Sequence, residues 1–209
     1  MRARALLVTL LVVVTSCGGG AKTASAPPPP DLDRDDLKTA VLDQKIVGDS
    51  WQAKENPGPN TVQIGGRVGA ANIRPLLAEA TSAFTQKDGT GFVTNSLLLV
   101  RSEDAAQAIV PAHEDAARKT SWTQERDDGG RTTFRISGAV ADLPSLGDSM
   151  FAARLEAVIT TADDNTSTHA VDYVVFTVGS LVAFVITQDY GAGRPARRLE
   201  SRATELLSR

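Results

Sequence analysis

Two β-branched apolar runs, Val171–Val178 and Leu181–Gln188, are separated only by Gly179-Ser180. Branched side chains suit a pleated, half-buried surface, and a two-residue connection containing glycine suits a tight turn, so the stretch is read as an antiparallel hairpin. A lone hairpin is marginal in water, so the chain must supply more strands and a layer to cover them. Arg131–Ser137 alternates Thr, Phe and Ile, and Phe151–Thr161 alternates Ala153, Leu155, Ala157 and Ile159. Ala162-Asp-Asp-Asn-Thr166 reads as the loop into the next strand. Four strands in a meander are therefore expected, closed by an amphipathic helix at Arg194–Ser208 that carries Leu199, Ala203, Leu206 and Leu207 on one face.

Upstream, Asp31–Val47 is expected to be one helix, acidic at its start where the helix dipole favours carboxylates. Gly48-Asp-Ser-Trp51 breaks it. Thr61–Ile64 reads as a short strand before Gly65-Gly66. Ala70–Gln86 reads as a second helix with Ile73, Leu76, Leu77, Ala80 and Phe84 on one face. Phe92–Arg101 is a strand whose Leu97–Val100 run implies burial on both faces. Ser102-Glu103-Asp104 has the composition of an N-cap opening a third helix to Lys119. This order predicts an α+β fold: an antiparallel β-sheet with helices packed mainly on one face, the other face forming a shallow groove.

The N-terminus is of a different kind. Arg2 and Arg4 precede an apolar run, Ala5–Val14, about half as long as a membrane-spanning helix requires. Val14-Thr15-Ser16-Cys17 then resembles the bacterial lipobox. The resemblance implies a lipoprotein signal peptide over 1–16, thioether lipidation of Cys17 and cleavage before it, with acyl chains (palmitate among them) as a membrane anchor. Two or three chains hold where one is marginal. Residues 17–30 contain Gly, Ala, Ser, Thr and four consecutive prolines, a tether whose proline end adds about 12 Å of stiff reach. Residues 31–209 are then one domain on the extracytoplasmic face of the cell membrane. Cys17 is the only cysteine, so the domain has no disulfide and must rely on its core.

Few residues point to chemistry. A formal net charge of -3 argues against a nucleic-acid partner, and 5% aromatic content against a stacking platform. No GxSxG, HExxH or P-loop pattern is present. His113 and His169 are read as solvated residues of a helix and a strand end. Gly65-Gly-Arg-Val-Gly69 reads as a turn, and Asp163, Asp164 and Asn165 as a hairpin loop rather than a Ca²⁺ site, since the remaining ligands and spacing are missing. No metal or cofactor is expected. Trp51, Trp122 and Tyr190 are the large amphipathic side chains that could mark a ligand-binding surface.

Taken together, the lipobox and tether, the acid-flanked first helix before a Trp-containing segment, Leu99-Val-Arg-Ser-Glu-Asp-Ala-Ala106 and Leu146-Gly147-Asp148-Ser149 resemble the actinobacterial, especially mycobacterial, sensor-domain lipoproteins. These are similar to the extracellular domain of PknH-type kinases. The resemblance implies an exported, non-catalytic domain with a cleft for an unknown ligand. The chain departs from the kinase domains in lacking their paired cysteines. The expected function is a lipid-anchored binding or sensor-like domain of the cell envelope. Its partners are the membrane, through Cys17, and an unknown small ligand or envelope protein. A lipid or envelope-component carrier and, further off, a hydrolase are the alternatives.

Overall fold

The computed structural model describes residues 31–55, 76–119, 121–125 and 129–209. In chain order the elements are α1 (Arg34–Ala40), α2 (Gln44–Val47), β1 (Trp51–Ala53), β2 (Leu76–Gln86), β3 (Phe92–Val100), α3 (Glu103–Gln107), α4 (Ile109–Lys119), β4 (Trp122–Glu125), β5 (Arg131–Gly138), β6 (Ser149–Thr160), β7 (Thr166–Val178), β8 (Leu181–Gln188) and α5 (Gly193–Leu207). The described strands form one antiparallel sheet in the order β1-β2-β3-β8-β7-β6-β5-β4. The fold is α+β, as the sequence indicates. The expected hairpin closes with Val178 opposite Leu181, and Gly179 takes a φ of +52°. The signal peptide, Cys17, the tether, the Thr61–Ile64 strand and Gly65–Gly69 lie outside the described residues.

Strand alternation sorts side chains onto two cores. Val174, Phe176, Leu181, Ala183 and Val185 face the main helical layer of α1, α2 and α5, meeting Leu37, Leu199, Ala203 and Leu206. Val171, Tyr173, Val175, Val182, Phe184 and Ile186 face the other way, toward Ala106, Val110 and Ala117 of α3 and α4. The face expected to be a groove thus carries α3 and α4. β8 is buried along its whole length, which is why it reads as a continuous apolar run.

Several elements differ from the sequence reading. Ala70–Gln86 is expected to be helical, yet its described part, Leu76–Gln86, is strand β2, paired with β3 from Leu76↔Val100 to Thr85↔Phe92. Ala80 and Phe84 are both buried, and a spacing of four puts two residues on one face of either a helix or a strand. The tight connection Lys87–Gly91, with Gly89 at φ +79°, lets the segment pair back onto β3, and pairing decides. β1 and β4 are short strands that the sequence pattern does not mark.

The single helix expected at Asp31–Val47 is two. Asp33 caps α1 through a capping box, and Asp43 caps α2. Between them three backbone groups find distant partners: Asn95 Oδ1 accepts from Leu42 N–H at 3.0 Å, Ser82 Oγ donates to Leu42 O at 2.7 Å, and Arg202 Nη1 donates to Val41 O at 2.6 Å. This satisfaction of the chain break from three elements holds α1, α2 and α5 against the sheet.

Leu146-Gly147-Asp148-Ser149 has a structural job. Leu146 is buried. Gly147 sits at φ +55°, where a Cβ would stand 1.9 Å from Thr177 O, so only glycine fits. Its N–H donates to Glu200 Oε1 of α5 at 2.6 Å, while Asp148 Oδ2 accepts from Gly179 N–H at 2.7 Å. The loop clasps the β7–β8 turn.

Candidate functional site

At one end of the central strands the apolar pattern stops on the α5 side. Register aligns Arg154 of β6 with Asp172 of β7, and Asp172 with Thr187 of β8, so these three polar residues form a row across one face. The chain leaves β8 through Asp189 (φ +58°), Tyr190 and Gly191 (φ +71°) before α5 begins. Arg154, Asp172, Thr187, Asp189, Tyr190 and Gly191 line a cavity of about 290 Å³ there.

An ion pair anchors this cleft. Arg154 Nε donates to Asp172 Oδ1 at 2.7 Å and Nη2 donates to Oδ2 at 3.1 Å, a bidentate arrangement. Asp172 Oδ2 also accepts from Ala192 N–H at 3.3 Å, placing a negative charge at the N-terminal end of α5, where the helix dipole favours it. The Asp172 side chain is 5% exposed and that of Arg154 is 40% exposed. The hydrogen bond to Asp172 raises the Arg154 pKa above its ordinary value. The Thr187 hydroxyl is buried without a partner among the described residues.

Two of the three aromatic sequence candidates meet, and the third lies apart. Trp51 is buried and meets Tyr190 edge-on, ring centroids 4.9 Å apart. Tyr190 donates from its hydroxyl to Val47 O at 3.3 Å and lines the cleft. Trp122 begins β4, at the opposite edge of the sheet from β1, so it does not share a site with the other two. Cys17 is outside the described residues.

His113 is not solvated as expected. It is fully buried on α4, its Nδ1 is 2.8 Å from the Tyr173 hydroxyl, and its Nε2 has no partner among the described residues. Burial lowers its pKa to about 4. The buried face of α4, with Val110 and Ala117, includes the imidazole, which meets Tyr173 and Phe184 on the β7–β8 surface beneath. His169 is half-buried, bonded to Ser167 Oγ at 3.0 Å and Gln188 Nε2 at 3.2 Å. Among the described residues no group of three His, Cys, Asp or Glu side chains is placed to hold a metal ion.

Arg154 and Asp172 are not among the sequence candidates. The available signal was Asp172 inside Val171-Asp-Tyr-Val-Val175, since a carboxylate within a buried strand needs a charged or hydrogen-bonding partner.

No protein-family model matches the chain, and no curated protein matches it. Its fold is similar to that of the crystal structure of the extracellular domain of PknH from Mycobacterium tuberculosis. The TM-score is 0.54 at 12% identity, covering 87% of this chain and 98% of that chain. At that identity the likeness is one of fold. It supports a PknH-like fold and nothing finer. Among the described residues no helix is long and apolar enough to cross a membrane.

Proposed function

We propose that the chain is an extracytoplasmic, lipid-anchored, non-catalytic sensor-like domain that binds a small polar ligand in the Arg154–Asp172 cleft. The observation that carries this reading is the guanidinium itself. It is fixed on its inner edge by a buried carboxylate and left 40% exposed beside a cavity of about 290 Å³. A charged side chain positioned by a buried partner and facing an open cleft is pre-organised for recognition. The likeness of fold to an extracellular domain supports the extracytoplasmic placement. The basic start, short apolar run and Val14-Thr-Ser-Cys17 support the anchor. Both spaces between sheet and helices are filled by core side chains, which favours a ligand module over a lipid carrier.

Two measurements test the proposal. Cys17→Ser should release the protein from the membrane fraction or leave it unprocessed; membrane retention with normal maturation overturns the anchor. The mature chain carrying Cys17→Ser should show a rise in melting temperature with a small-molecule envelope extract. That rise should shrink in Thr187→Val. No shift, or a shift unchanged in the variant, overturns the cleft as the site.

A further inference from the structure

Resting on the cleft reading, we infer that its ligand is a small zwitterion of the amino-acid type, its carboxylate held by Arg154 and Thr187 and its ammonium group by Asp189. The chemistry follows from which groups remain available. Asp172 is spent: both oxygens accept from Arg154, and Oδ2 also accepts from Ala192 N–H. Both residues line the cavity, but the exposed part of the pair is the cation, whose Nη1 has no partner among the described residues. A guanidinium held on one edge and open on the other suits a carboxylate.

Thr187 supplies a second, independent pointer. It is 1% exposed, lines the same cavity, stands in register with Asp172, and its hydroxyl is unpartnered among the described residues. Buried hydroxyls are normally satisfied, and a ligand oxygen entering beside Arg154 would satisfy this one.

Asp189 decides against a simple anion. Its carboxylate is exposed, lines the same cavity and, among the described residues, accepts only from Gln188 Nε2, at a long 3.4 Å. A lone anion would be repelled by Asp189 and a lone amine by Arg154. A molecule carrying both charges meets each with its opposite. The volume, about 290 Å³, is at the small end for ligand pockets and favours a single amino acid over a peptide.

The test titrates the mature Cys17→Ser protein with the twenty standard amino acids. The best binder is then compared with its carboxylate-only and amine-only analogues, which for alanine are propionate and ethylamine. At least one amino acid should bind saturably, with both analogues weaker by about tenfold or more. Asp189→Asn keeps a residue that tolerates positive φ, so the free protein should melt unchanged while amino-acid affinity falls about tenfold or more. Thr187→Val should weaken binding with no loss of thermal stability. An analogue binding as tightly as the amino acid, or undiminished binding in Asp189→Asn, overturns the zwitterion. If no amino acid binds while the envelope-extract shift still depends on Thr187, this inference fails and the cleft reading stands. If neither is seen, both fall.

Discussion

The Tyr173 hydroxyl and His113 Nδ1 lie 2.8 Å apart in the core between α4 and the sheet. Burial lowers the His113 pKa to about 4, against about 6.5 in an unfolded chain. The unfolded state therefore binds the extra proton first as the pH falls. The resulting stability is complete above pH 6.5 and is lost progressively between about pH 6.5 and 4, a change of roughly 3 kcal/mol. Denaturant unfolding at a series of pH values should show this slope in the native protein. His113→Leu should abolish it, while lowering stability at neutral pH by leaving Tyr173 unpaired. An equal slope in both proteins would exclude His113 as its source.

Asn95 is fully buried and ties the α1–α2 break to β2, accepting from Leu42 N–H and donating to Ser82 Oγ at 2.7 Å. Asn95→Leu strands the buried Leu42 N–H and removes the amide from which Ser82 Oγ accepts. We expect a loss of about 2–4 kcal/mol in unfolding free energy, with hydrogen exchange accelerated first in α1 and α2. Global loss without that local signature would argue against this role.

Gly147 has no conservative replacement. Gly147→Ala meets Thr177 O at 1.9 Å and adopts an unfavourable positive φ, so displacement of the loop is required. The expected loss exceeds about 3 kcal/mol. Alanine at Gly138, where an added Cβ meets nothing within 4 Å, should cost far less. Melting curves of the two variants settle the comparison.

Removing one member of the Arg154–Asp172 pair should cost more than removing both. Arg154→Met leaves a buried carboxylate uncompensated, and a loss of about 1–3 kcal/mol is expected. That is below the range for fully buried pairs because the guanidinium is 40% exposed and screened. The double variant Arg154→Met with Asp172→Leu should recover part of this. Additive losses in a double-mutant cycle would mean that the two residues are uncoupled.

How much the sequence revealed depended on whether one period or two fitted a segment. β7, β8 and α5 were legible because continuous β-branched runs and a helical stripe leave no alternative. Leu76–Gln86 was ambiguous because Ala80 and Phe84 satisfy either period, and the deciding contacts are with β3 rather than within the segment. The α1–α2 break was hidden because its partners, Asn95 and Arg202, are far along the chain. At the site, Tyr190 was visible as a large amphipathic side chain, whereas the Arg154–Asp172–Thr187 row arises only from strand register. The burial of His113 is not legible in the sequence because its neighbours on α4, Glu114 and Asp115, are polar and say nothing about the sheet surface beneath.

The strand order has a consequence for the route to the folded state. β8 is the last of the described strands in chain order, yet it lies in the middle, bridging β3 on one side and β7 on the other. Until Gln188 is available, the β1–β3 unit and the β4–β7 meander each present an unpaired inner edge, the kind of edge that recruits other chains. Completion waits on contacts between residues nearly a hundred positions apart, such as Phe92 with Gln188, which slows folding and prolongs that exposure. A chain cut before Leu181 would therefore be a pair of sticky half-sheets rather than a smaller version of the same domain.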